Sequence, residues 1–454
     1  MSRHEHGRVR CAAAALPVGP GRAPRRLPAS LFTALLAAAL LAIAPLGGCA
    51  TLPVVDTSGL AAAGPGGETQ ALRREGERAA GEHFYSGNSV QLLANGEPTY
   101  AAMTEAILGA RRRIDIESYE FDPDPKWRLV DLLVQKRREG VVVNILYDAW
   151  GSSNVPAALF DRLRAAGANV LEYNPLRPSA RVALDLNRRD HRKLFVVDAR
   201  VVITGGVNIS PVYFNHSNPA QTDPELMAWR DTDVRIEGPV AARFEALFME
   251  EWHGQNGPPI PPPPPTPGAL YGGAMVAAVD GAPVRDHPQI YEALLVAIAM
   301  AQHSVHLTTG FFVPTPQLVH ALERAARRGV DVAVVLPAHS TSSFAIEAGR
   351  AYYEDLMEAG VRIYERQGAV LHAKTAVIDG LWSTVGSSNL DWRSVVFNNE
   401  LSAIILDSGF AQRLEAMFEY DVAHSTRVDP ASWARRPLFE KLQEWQARAV
   451  EVLL

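Results

Sequence analysis

Cysteine is almost absent from this chain of 454 residues, which contains only Cys11 and Cys49. Two cysteines near the N-terminus cannot form the framework of several disulfides that stabilises small secreted domains. Stability must therefore come from packing. With 47% hydrophobic residues, the chain is long enough for two domains of ordinary size, each with its own core.

The sequence also lacks the motifs of two common chemistries. No group of histidines, cysteines and carboxylates has the spacing of a zinc site, and no glycine-rich loop is followed by Gly-Lys-Ser or Gly-Lys-Thr. These absences argue against zinc-dependent and nucleotide-dependent reactions, so no metal and no cofactor are expected.

The N-terminus has the order of features that directs export. Six arginines precede the apolar stretch LFTALLAAALLAIAPL, and small residues lead from it to Cys49. The ending LGGC resembles a bacterial lipobox, in which the cysteine is lipidated and becomes the first residue of the mature protein. Residues 1–48 are therefore predicted to be a lipoprotein signal peptide, and the protein a membrane-anchored lipoprotein of the bacterial cell envelope that faces the periplasm. An uncleaved membrane helix is the alternative.

Basic residues are fewer than acidic ones. The chain has 44 lysines and arginines and 50 aspartates and glutamates, which gives a net charge of −6. Removing residues 1–48 takes away six arginines and one glutamate, which leaves −11. An acidic body argues against a general nucleic-acid binder, although a local basic groove is compatible with it.

Two stretches divide the chain. Residues 49–82 are rich in Ala, Gly and Thr and are predicted to be a flexible tether. Residues 257–268, GPPIPPPPPTPG, cannot form a helix or a central strand, because proline lacks the amide donor and fixes its backbone angle. We interpret them as a linker that acts as a spacer. Two domains remain, residues 83–256 and 269–454.

The two domains repeat one pattern. In the first, MTEAILGARR precedes IDIESYEF; in the second, IYEALLVAIAMA precedes VHLTTGFF. The next pair is LVDLLVQKRREGVVVNILYD and LVHALERAARRGVDVAVVLP. Alternating helices and strands of this kind predict βαβ units, with parallel sheets covered by helices on both faces, so the predicted fold class is α/β.

The same polar motif occurs once in each domain. DHRKLFVVDARVVITGGVN and LHAKTAVIDGLWSTVGSSN both contain HxKxxxxD, then an apolar run, glycine and asparagine. A chance match is expected about once in 10⁴ positions, so two matches in register are not accidental. The motif residues are His191, Lys193, Asp198 and Asn208 in the first domain and His372, Lys374, Asp379 and Asn389 in the second.

This motif suits phosphate chemistry. Histidine and lysine two residues apart point to one side of a strand and can enter one cleft. All three residues of each motif, including Asp198 and Asp379, are predicted to be catalytic residues. The aspartate falls on the other side of a regular strand, however, where we expect it to orient the backbone or a neighbour. Lysines and asparagines can hold phosphate oxygens, while one imidazole attacks phosphorus and the other protonates the leaving oxygen. The cations supply the charge that a metal supplies elsewhere.

Each imidazole should have an acid behind it that fixes its tautomer. Asp231 in WRDTDVRI and Glu400 in FNNELSAII occupy matching places in the two domains. They are predicted to orient the histidines, and the alternative is a solvated charge at a strand end.

The paired HxKxxxxD motifs resemble the phospholipase D superfamily. The phrases YYEDLMEAGVRIYE, LHAKTAVIDG, VGSSNLDWRS and FNNE resemble its bacterial cardiolipin synthase branch, over roughly residues 83–425. The resemblance implies two similar α/β/α sandwich domains with a shared active site at their interface. It also implies a phosphatidyl-histidine intermediate, formed with loss of one alcohol and resolved by another, with His191 as nucleophile and His372 as general acid and then base.

Three functions stay open at this point. They are a phosphatidyltransferase that makes cardiolipin from phosphatidylglycerol, a hydrolytic phospholipase D that releases phosphatidate, and a nucleic-acid phosphodiesterase. The acidic charge and the lipid anchor favour a phospholipid substrate at a membrane surface. The residue types do not choose among phosphatidylglycerol, phosphatidylethanolamine, glycerol and water as the acceptor, and they leave the oligomeric state open.

Overall fold

The computed structural model describes residues 54–57, 59–60, 67–175, 187–214, 223, 227–261, 269–282 and 288–448. The predicted signal peptide, Cys49 and residues 262–268 of the proline-rich linker lie outside these ranges. Within them, no helix combines the length and the apolar character that crossing a membrane requires.

In the first half of the molecule, one helix comes before the repeated α/β pattern begins. Its elements, in chain order, are α1 (Glu68–Ala80), β1 (Tyr85–Ala94), α2 (Gly96–Gly109), β2 (Arg113–Ser118), α3 (Leu129–Arg138), β3 (Val142–Asp148), α4 (Ala157–Ala165), β4 (Asn169–Tyr173), β5 (Lys193–Val197), β6 (Val201–Gly205), a 3₁₀ helix (Pro211–Phe214), β7 (Trp229–Arg230), β8 (Thr232–Glu237) and α5 (Ala241–Gly254).

The second half repeats this order and extends it at the C-terminus. Its elements are β9 (Ala274–Gly281), α6 (Gln289–Met300), β10 (Ser304–Thr309), β11 (Phe312–Val313), α7 (Pro316–Arg327), β12 (Asp331–Pro337), α8 (Ser343–Arg350), α9 (Tyr353–Glu358), β13 (Arg362–Arg366), β14 (Val370–Leu371), β15 (Lys374–Ile378), β16 (Trp382–Gly386), β17 (Leu390–Asp391), α10 (Trp392–Val396), β18 (Glu400–Leu406), α11 (Ser408–Ala423), β19 (Ser425–Arg427), α12 (Pro430–Ala434) and α13 (Leu438–Arg448).

One sheet runs through both halves. Its strand order is β19-β13-β12-β10-β15-β16-β18-β9-β1-β8-β6-β5-β2-β3-β4, and the halves join where β1 pairs with β9. The sheet is mixed, which corrects the expectation of parallel sheets. β2, β3 and β4 are parallel, as are β10, β12 and β13, but the hairpins β5–β6 and β15–β16 pair antiparallel with their neighbours. A hairpin cannot be parallel, because its two strands are joined by a tight turn.

Helices cover both faces of the sheet. Strand β5, KLFVV, shows the cause: Leu194 and Val196 pack into the cluster that contains residues of α5 and α11, while Phe195 and Val197 pack against α2, α3 and α4. Successive side chains of a strand point to opposite faces, so an uninterrupted apolar strand must be covered on both. The motif strands are thus held rigidly at the centre of the molecule.

Local sequence also fixes where some helices begin. Thr315 precedes α7 and its hydroxyl accepts from the Leu318 amide at 3.3 Å, with Pro316 at the first helical position. Asp407 caps α11 in the same way, accepting from the Phe410 amide at 2.7 Å. Such caps satisfy amides that have no partner inside the helix.

Two predicted connecting segments turn out to be structured in part. Residues 68–80 of the expected tether form α1, which packs against α6 of the second half and buries Leu72. At the start of the proline-rich linker, Ile260 is buried, and the carbonyls of Pro258 and Pro261 accept from the Trp252 indole at 2.8 Å and the Arg113 guanidinium at 2.6 Å. Apolar contacts and satisfied carbonyls hold these segments on the domain surface, so neither is a plain spacer throughout.

Candidate active site

Each motif histidine lies just before the first strand of its hairpin and is fixed by the opposite half. The His191 amide donates to the Asn399 carbonyl at 2.9 Å, and the His372 amide donates to the Arg230 carbonyl at 2.8 Å. Short parallel pairings accompany these bonds, Asp190 with Asn399 and Leu371 with Arg230. The two hairpins therefore present their histidines to a common pocket at the junction of the halves.

Each of the two predicted acids lies beside the imidazole of the other half. Glu400 lies with both carboxylate oxygens 3.1 Å from Nδ1 of His191, and Asp231 Oδ2 lies 2.7 Å from Nδ1 of His372. Both acids are fully buried. A carboxylate at Nδ1 favours the tautomer that carries its proton there and leaves the Nε2 lone pair free. The sequence placed the acids at matching positions, and the structure decided the crossed pairing.

The two lysines lie beneath the histidines, away from the pocket surface. Lys193 Nζ donates to the His191 carbonyl at 2.6 Å, and Lys374 Nζ donates to the His372 carbonyl. Burial lowers the pKa of Lys193 to about 8, against the opposing effect of Glu400, and burial likewise lowers the pKa of Lys374 to about 8. Near neutral pH both ammonium groups place positive charge directly behind the pocket.

The aspartates of the motif lie at the far ends of the hairpins. Asp198 accepts hydrogen bonds at 2.8 Å from the amides of residues 111–113, and Asp379 accepts from the amides of residues 302–304 at 2.7 to 2.9 Å. Seven residues of extended chain span roughly 20 Å, so neither carboxylate reaches the pocket. The structure therefore does not bring these two predicted catalytic residues into the pocket, and their contacts fit the expectation that they orient the backbone.

The pocket has a volume of about 630 Å³ and is lined by both histidines and both predicted asparagines. Asn208 Oδ1 accepts weakly from the Glu120 amide at 3.4 Å, whereas Asn389 Oδ1 is buried without a hydrogen-bond partner in the described part of the chain. The described ranges contain no cluster of three or more histidines, cysteines or carboxylates arranged to hold a metal.

The environment of both imidazoles favours the neutral form, because it lowers their pKa values. Burial and the nearby Lys374 lower the pKa of His372 to about 3, although Asp231 opposes them. Burial and Lys193 also lower the pKa of His191, against the effect of Glu400. A neutral imidazole has the lone pair that a nucleophile needs. An entering anion would offset the lysine charges and raise both pKa values.

Aromatic rings that the motif search did not select flank the histidines. The Tyr119 ring lies edge-on to His191 with centroids 5.2 Å apart, and the Trp229 ring lies 4.8 Å from that of His372. The Tyr213 hydroxyl is 3.4 Å from Nδ1 of His372. Trp229 comes two residues before Asp231 in the sequence, which is the only local signal that points to it.

Charged and polar wall residues were also missed. Glu120 lines the pocket, and burial raises its pKa to about 7 although Lys193 and Lys374 oppose the shift. In the repeat alignment Glu120 matches Phe311, which lines the pocket too. A mismatch between the halves at a pocket position is the signal that could have revealed it. The remaining charged or amide residues of the wall are Asn187, Arg189, Asp391, Arg393 and Asn398.

Comparisons with known proteins agree with this geometry. The family model described as "Cardiolipin synthase, PLD-like domain" matches residues 103–252 and 294–422, one segment in each half. The chain is 31% identical to a probable cardiolipin synthase, YwiE, of Bacillus subtilis over 82% of this chain and 73% of the relative. It is 32% identical to cardiolipin synthase A of Yersinia pseudotuberculosis over 81% of this chain and 76% of the relative.

Among solved structures, the fold matches a phosphatidylserine synthase of Haemophilus influenzae with a TM-score of 0.58 at 14% identity, covering 84% of this chain and all of that one. The two similar α/β domains with a pocket at their junction are those of the phospholipase D fold, as the sequence predicted. The chain belongs to the phospholipase D superfamily, in its cardiolipin synthase branch.

Proposed function

We propose that this protein is a phosphatidyltransferase that moves a phosphatidyl group from phosphatidylglycerol to an alcohol through a phosphohistidine. The observation that carries the proposal is the symmetric pair of imidazoles in one pocket, each held by a buried carboxylate of the other half above a buried lysine. Relatives named as cardiolipin synthases and a fold neighbour named as a phosphatidylserine synthase support it.

In the first step His191 Nε2 attacks phosphorus, the N–P bond forms, and the P–O bond to the leaving glycerol breaks. When the bound phosphate offsets the charges of Lys193 and Lys374, the pKa of His372 rises and Nε2 of His372 takes up a proton from solvent. The leaving oxygen then takes this proton from His372. In the second step the acceptor hydroxyl returns a proton to His372, its oxygen bonds to phosphorus, and the N–P bond breaks. The assignment of roles follows the family resemblance.

The lysines and asparagines stabilise charge that develops on the phosphate oxygens. Lys193 and Lys374 supply positive charge from behind the pocket, and Asn208 and Asn389 offer amides at its surface. Since these cations are built into the protein, we expect turnover to persist after treatment with EDTA. Complete loss of activity, restored by one divalent ion, would contradict this part of the mechanism.

Transfer is favoured over hydrolysis by the pocket walls. Tyr119, Trp229 and Phe311 present apolar surface beside the histidines, which limits ordered water at phosphorus. A membrane-tethered enzyme also meets lipid alcohols at high effective concentration. The carboxylates of Glu120 and Asp391 on the wall and the net charge of −6 disfavour a nucleic-acid strand as substrate.

The proposed location is the periplasmic face of the cell envelope, through lipidation of Cys49. The arginines, the apolar run and LGGC occur in the order that export and lipidation require. Cys49→Ala should accumulate unprocessed precursor of higher mass. Wild-type protein from membranes that retains residues 1–48, measured by intact mass, would overturn the lipoprotein assignment.

The deciding experiment incubates purified protein with labelled phosphatidylglycerol and separates the lipid products. Cardiolipin or another transfer lipid, together with an acid-labile phosphohistidine mapped to His191, is the expected result. Phosphatidate as the sole lipid product would replace transferase by hydrolase. A phosphohistidine found at His372 and absent from His191 would exchange the roles of the two histidines.

A further inference from the structure

A buried ion pair lies behind the strand end that holds His372. Arg230, on β7, contacts Asp421, on α11, through two hydrogen bonds. The Arg230 Nε donates to Oδ1 at 2.9 Å, and its Nη2 donates to Oδ2 at 2.7 Å. Arg230 is 5% exposed, and Asp421 is fully buried. Contact at two points fixes the orientation of the guanidinium plane as well as its place.

The same arginine holds the two groups that define the position of the His372 imidazole. Its carbonyl accepts from the His372 amide at 2.8 Å, which anchors the backbone of the histidine. Its Nη1 donates at 2.6 Å to the carbonyl of Asp231, and Asp231 is the acid at Nδ1 of His372. Asp421 is therefore linked to the imidazole through Arg230 by two routes, one to the backbone and one to the acid.

Asp421 also faces a second buried guanidinium. The Arg366 Nε, on β13, lies 3.4 Å from Asp421 Oδ1, and Arg366 is 6% exposed. One carboxylate thus lies between two buried cations. If the carboxylate were neutralised, two like charges would face each other in a poorly solvated interior. Arg230 would have to move away, and the strand end that anchors His372 would move with it.

The first half has a corresponding arrangement behind its own histidine. The pattern RxEAxF occurs in both α5 and α11, and Glu251 and Asp421 follow it at the same distance. Glu251 Oε2 accepts from Asn399 Nδ2 at 3.0 Å, and the Asn399 carbonyl accepts from the His191 amide at 2.9 Å. In each half, a helix carboxylate therefore holds the residue that precedes the acid of the other half. The contact recurs although its partner changes from arginine to asparagine.

The pair is better suited to fixing geometry than to stabilising the fold. A buried ion pair contributes little net stability, because taking two charges out of water costs about as much as their attraction returns. A guanidinium held at two points nevertheless has one orientation. Displacing a reacting group by about 1 Å can lower a rate by about 10²-fold. The His372 imidazole is the reacting group that this geometry would place.

We propose that Asp421 is a positioning residue for the proton transfer at His372. It acts through Arg230, which keeps the backbone of His372 and the carboxylate of Asp231 in register with each other. Asp421 is fully buried and is not among the residues that line the pocket, so it touches no substrate. This inference rests on the phosphatidyl transfer proposed above, in which His372 protonates the leaving oxygen.

The test compares two donors with full-length wild-type protein and the Asp421→Asn variant, and it measures adduct formation at His191 by rapid quench. The glycerol that leaves phosphatidylglycerol needs the proton of His372, whereas the leaving group of phosphatidyl-p-nitrophenol needs none. Asp421→Asn should slow the reaction of phosphatidylglycerol by about 30-fold and that of the nitrophenyl donor by less than about threefold. The readout is the ratio of the two rates, which a general loss of folded protein does not alter.

A second variant keeps the test open if Asp421→Asn does not fold, since breaking a buried pair on one side can be strongly destabilising. Arg230→Lys keeps a positive charge opposite Asp421, but it loses the contact at two points and the hydrogen bond to the Asp231 carbonyl. It should shift the donor ratio in the same direction, by about tenfold.

The matched control breaks a buried ion pair elsewhere. Glu245, on α5, pairs with Arg113 of β2, and both side chains are buried. No hydrogen bond or ion pair in the described structure links this pair to either motif histidine. Glu245→Gln should lower the unfolding temperature, as Asp421→Asn does, and leave the donor ratio unchanged.

The outcomes separate this inference from the proposed function. If wild-type protein forms no phosphohistidine from either donor, or forms it on His372, the proposed mechanism fails and this inference fails with it. If wild-type protein forms the adduct on His191 and a folded Asp421→Asn or Arg230→Lys variant keeps the wild-type donor ratio, transfer stands and the positioning role is overturned. A shift of equal size in Glu245→Gln would also overturn it, because any weakened core would then have the same effect.

Discussion

The two halves supply the same hairpin, histidine and lysine to the pocket, but they surround them differently. His191 has the Tyr119 ring on its side, while Trp229 and Tyr213 lie against His372. His191 also keeps 12% of its side chain exposed, compared with 8% for His372. Chemistry at phosphorus needs two imidazoles and is served by the repeated groups. To distinguish the two groups bonded to phosphorus, the pocket needs different side chains on its two sides. Only residues that differ between the halves can provide them.

The largest effect should come from replacing the histidines. His191→Gln and His372→Gln should each lower the rate of transfer by at least about 10³-fold, because each removes one proton carrier or the nucleophile. The two variants should differ with phosphatidyl-p-nitrophenol, whose leaving group needs no protonation. His372→Gln should still form the covalent adduct there, and His191→Gln should not. If the His191→Gln variant formed the adduct and the His372→Gln variant did not, the roles of the two histidines would be exchanged.

Replacing Glu400 or Asp231, each of which contacts the histidine of the other half, should give the next largest effect on the rate. Glu400→Gln should slow adduct formation at His191 by about 10²-fold with any donor, since it disturbs the tautomer of the nucleophile. Asp231→Asn acts on His372, so it should slow the reaction of phosphatidylglycerol by a similar factor and spare the p-nitrophenyl donor. Rapid-quench measurement of the adduct distinguishes the two. Equal slowing of the p-nitrophenyl reaction by both variants would argue against separate roles for the pairs.

From the pKa values of the two lysines we expect a smaller effect, a gradual dependence of kcat/KM on pH. Burial lowers the pKa of both to about 8, so their charged forms are present below that value and are lost as the pH rises through it. We expect kcat/KM to fall above about pH 8, where unperturbed lysines would hold it level to about pH 10. Replacing both Lys193 and Lys374 with arginine should move the falling limb to higher pH, because arginine stays charged. A pH profile that is flat to pH 10 would refute this role for the lysines.

The smallest effect on catalysis should come from the motif aspartates. Asp198→Ala and Asp379→Ala each leave three backbone amides without their acceptor, so both should lower the free energy of unfolding by about 2 to 3 kcal/mol. The rate per folded molecule should change less than about twofold, since neither carboxylate reaches the pocket. Asp355→Ala, an exposed change on α9, is the control in thermal unfolding. A large loss of rate with normal stability would return these aspartates to the catalytic group.

Periodicity predicted most elements of the fold because helix and strand patterns are local. MTEAILGARR lies largely in α2 and IDIESYEF in β2, and their partners in the second half form α6 and β10. The pattern could not show that the motif strands are hairpins inserted into the sheet, since pairing depends on the partner strand. Composition also predicted a flexible tether at residues 68–80, where the structure has a helix. The burial of Leu72 against α6 stabilises this helix, although most of its residues are polar.

The structure brings both histidines, both asparagines and both acids of the sequence prediction together at one pocket. The motif missed Tyr119, Glu120 and Arg393, which lie outside it on other segments and line the pocket only when the chain is folded. Residues that differ between repeats carry no motif and are invisible to a search for one.

The sequence by itself determined the duplicated α/β plan, the family and the identity of the paired histidines and lysines, because spacing and repetition are properties of the chain. Only the tertiary structure decided that Glu400 serves His191 and that Asp231 serves His372. That crossing follows from the pairing of β1 with β9, which joins the two halves into one sheet and brings the strand end of each half beside the hairpin of the other. A hydrogen bond spanning 209 residues depends on where strands meet, and no local pattern encodes it.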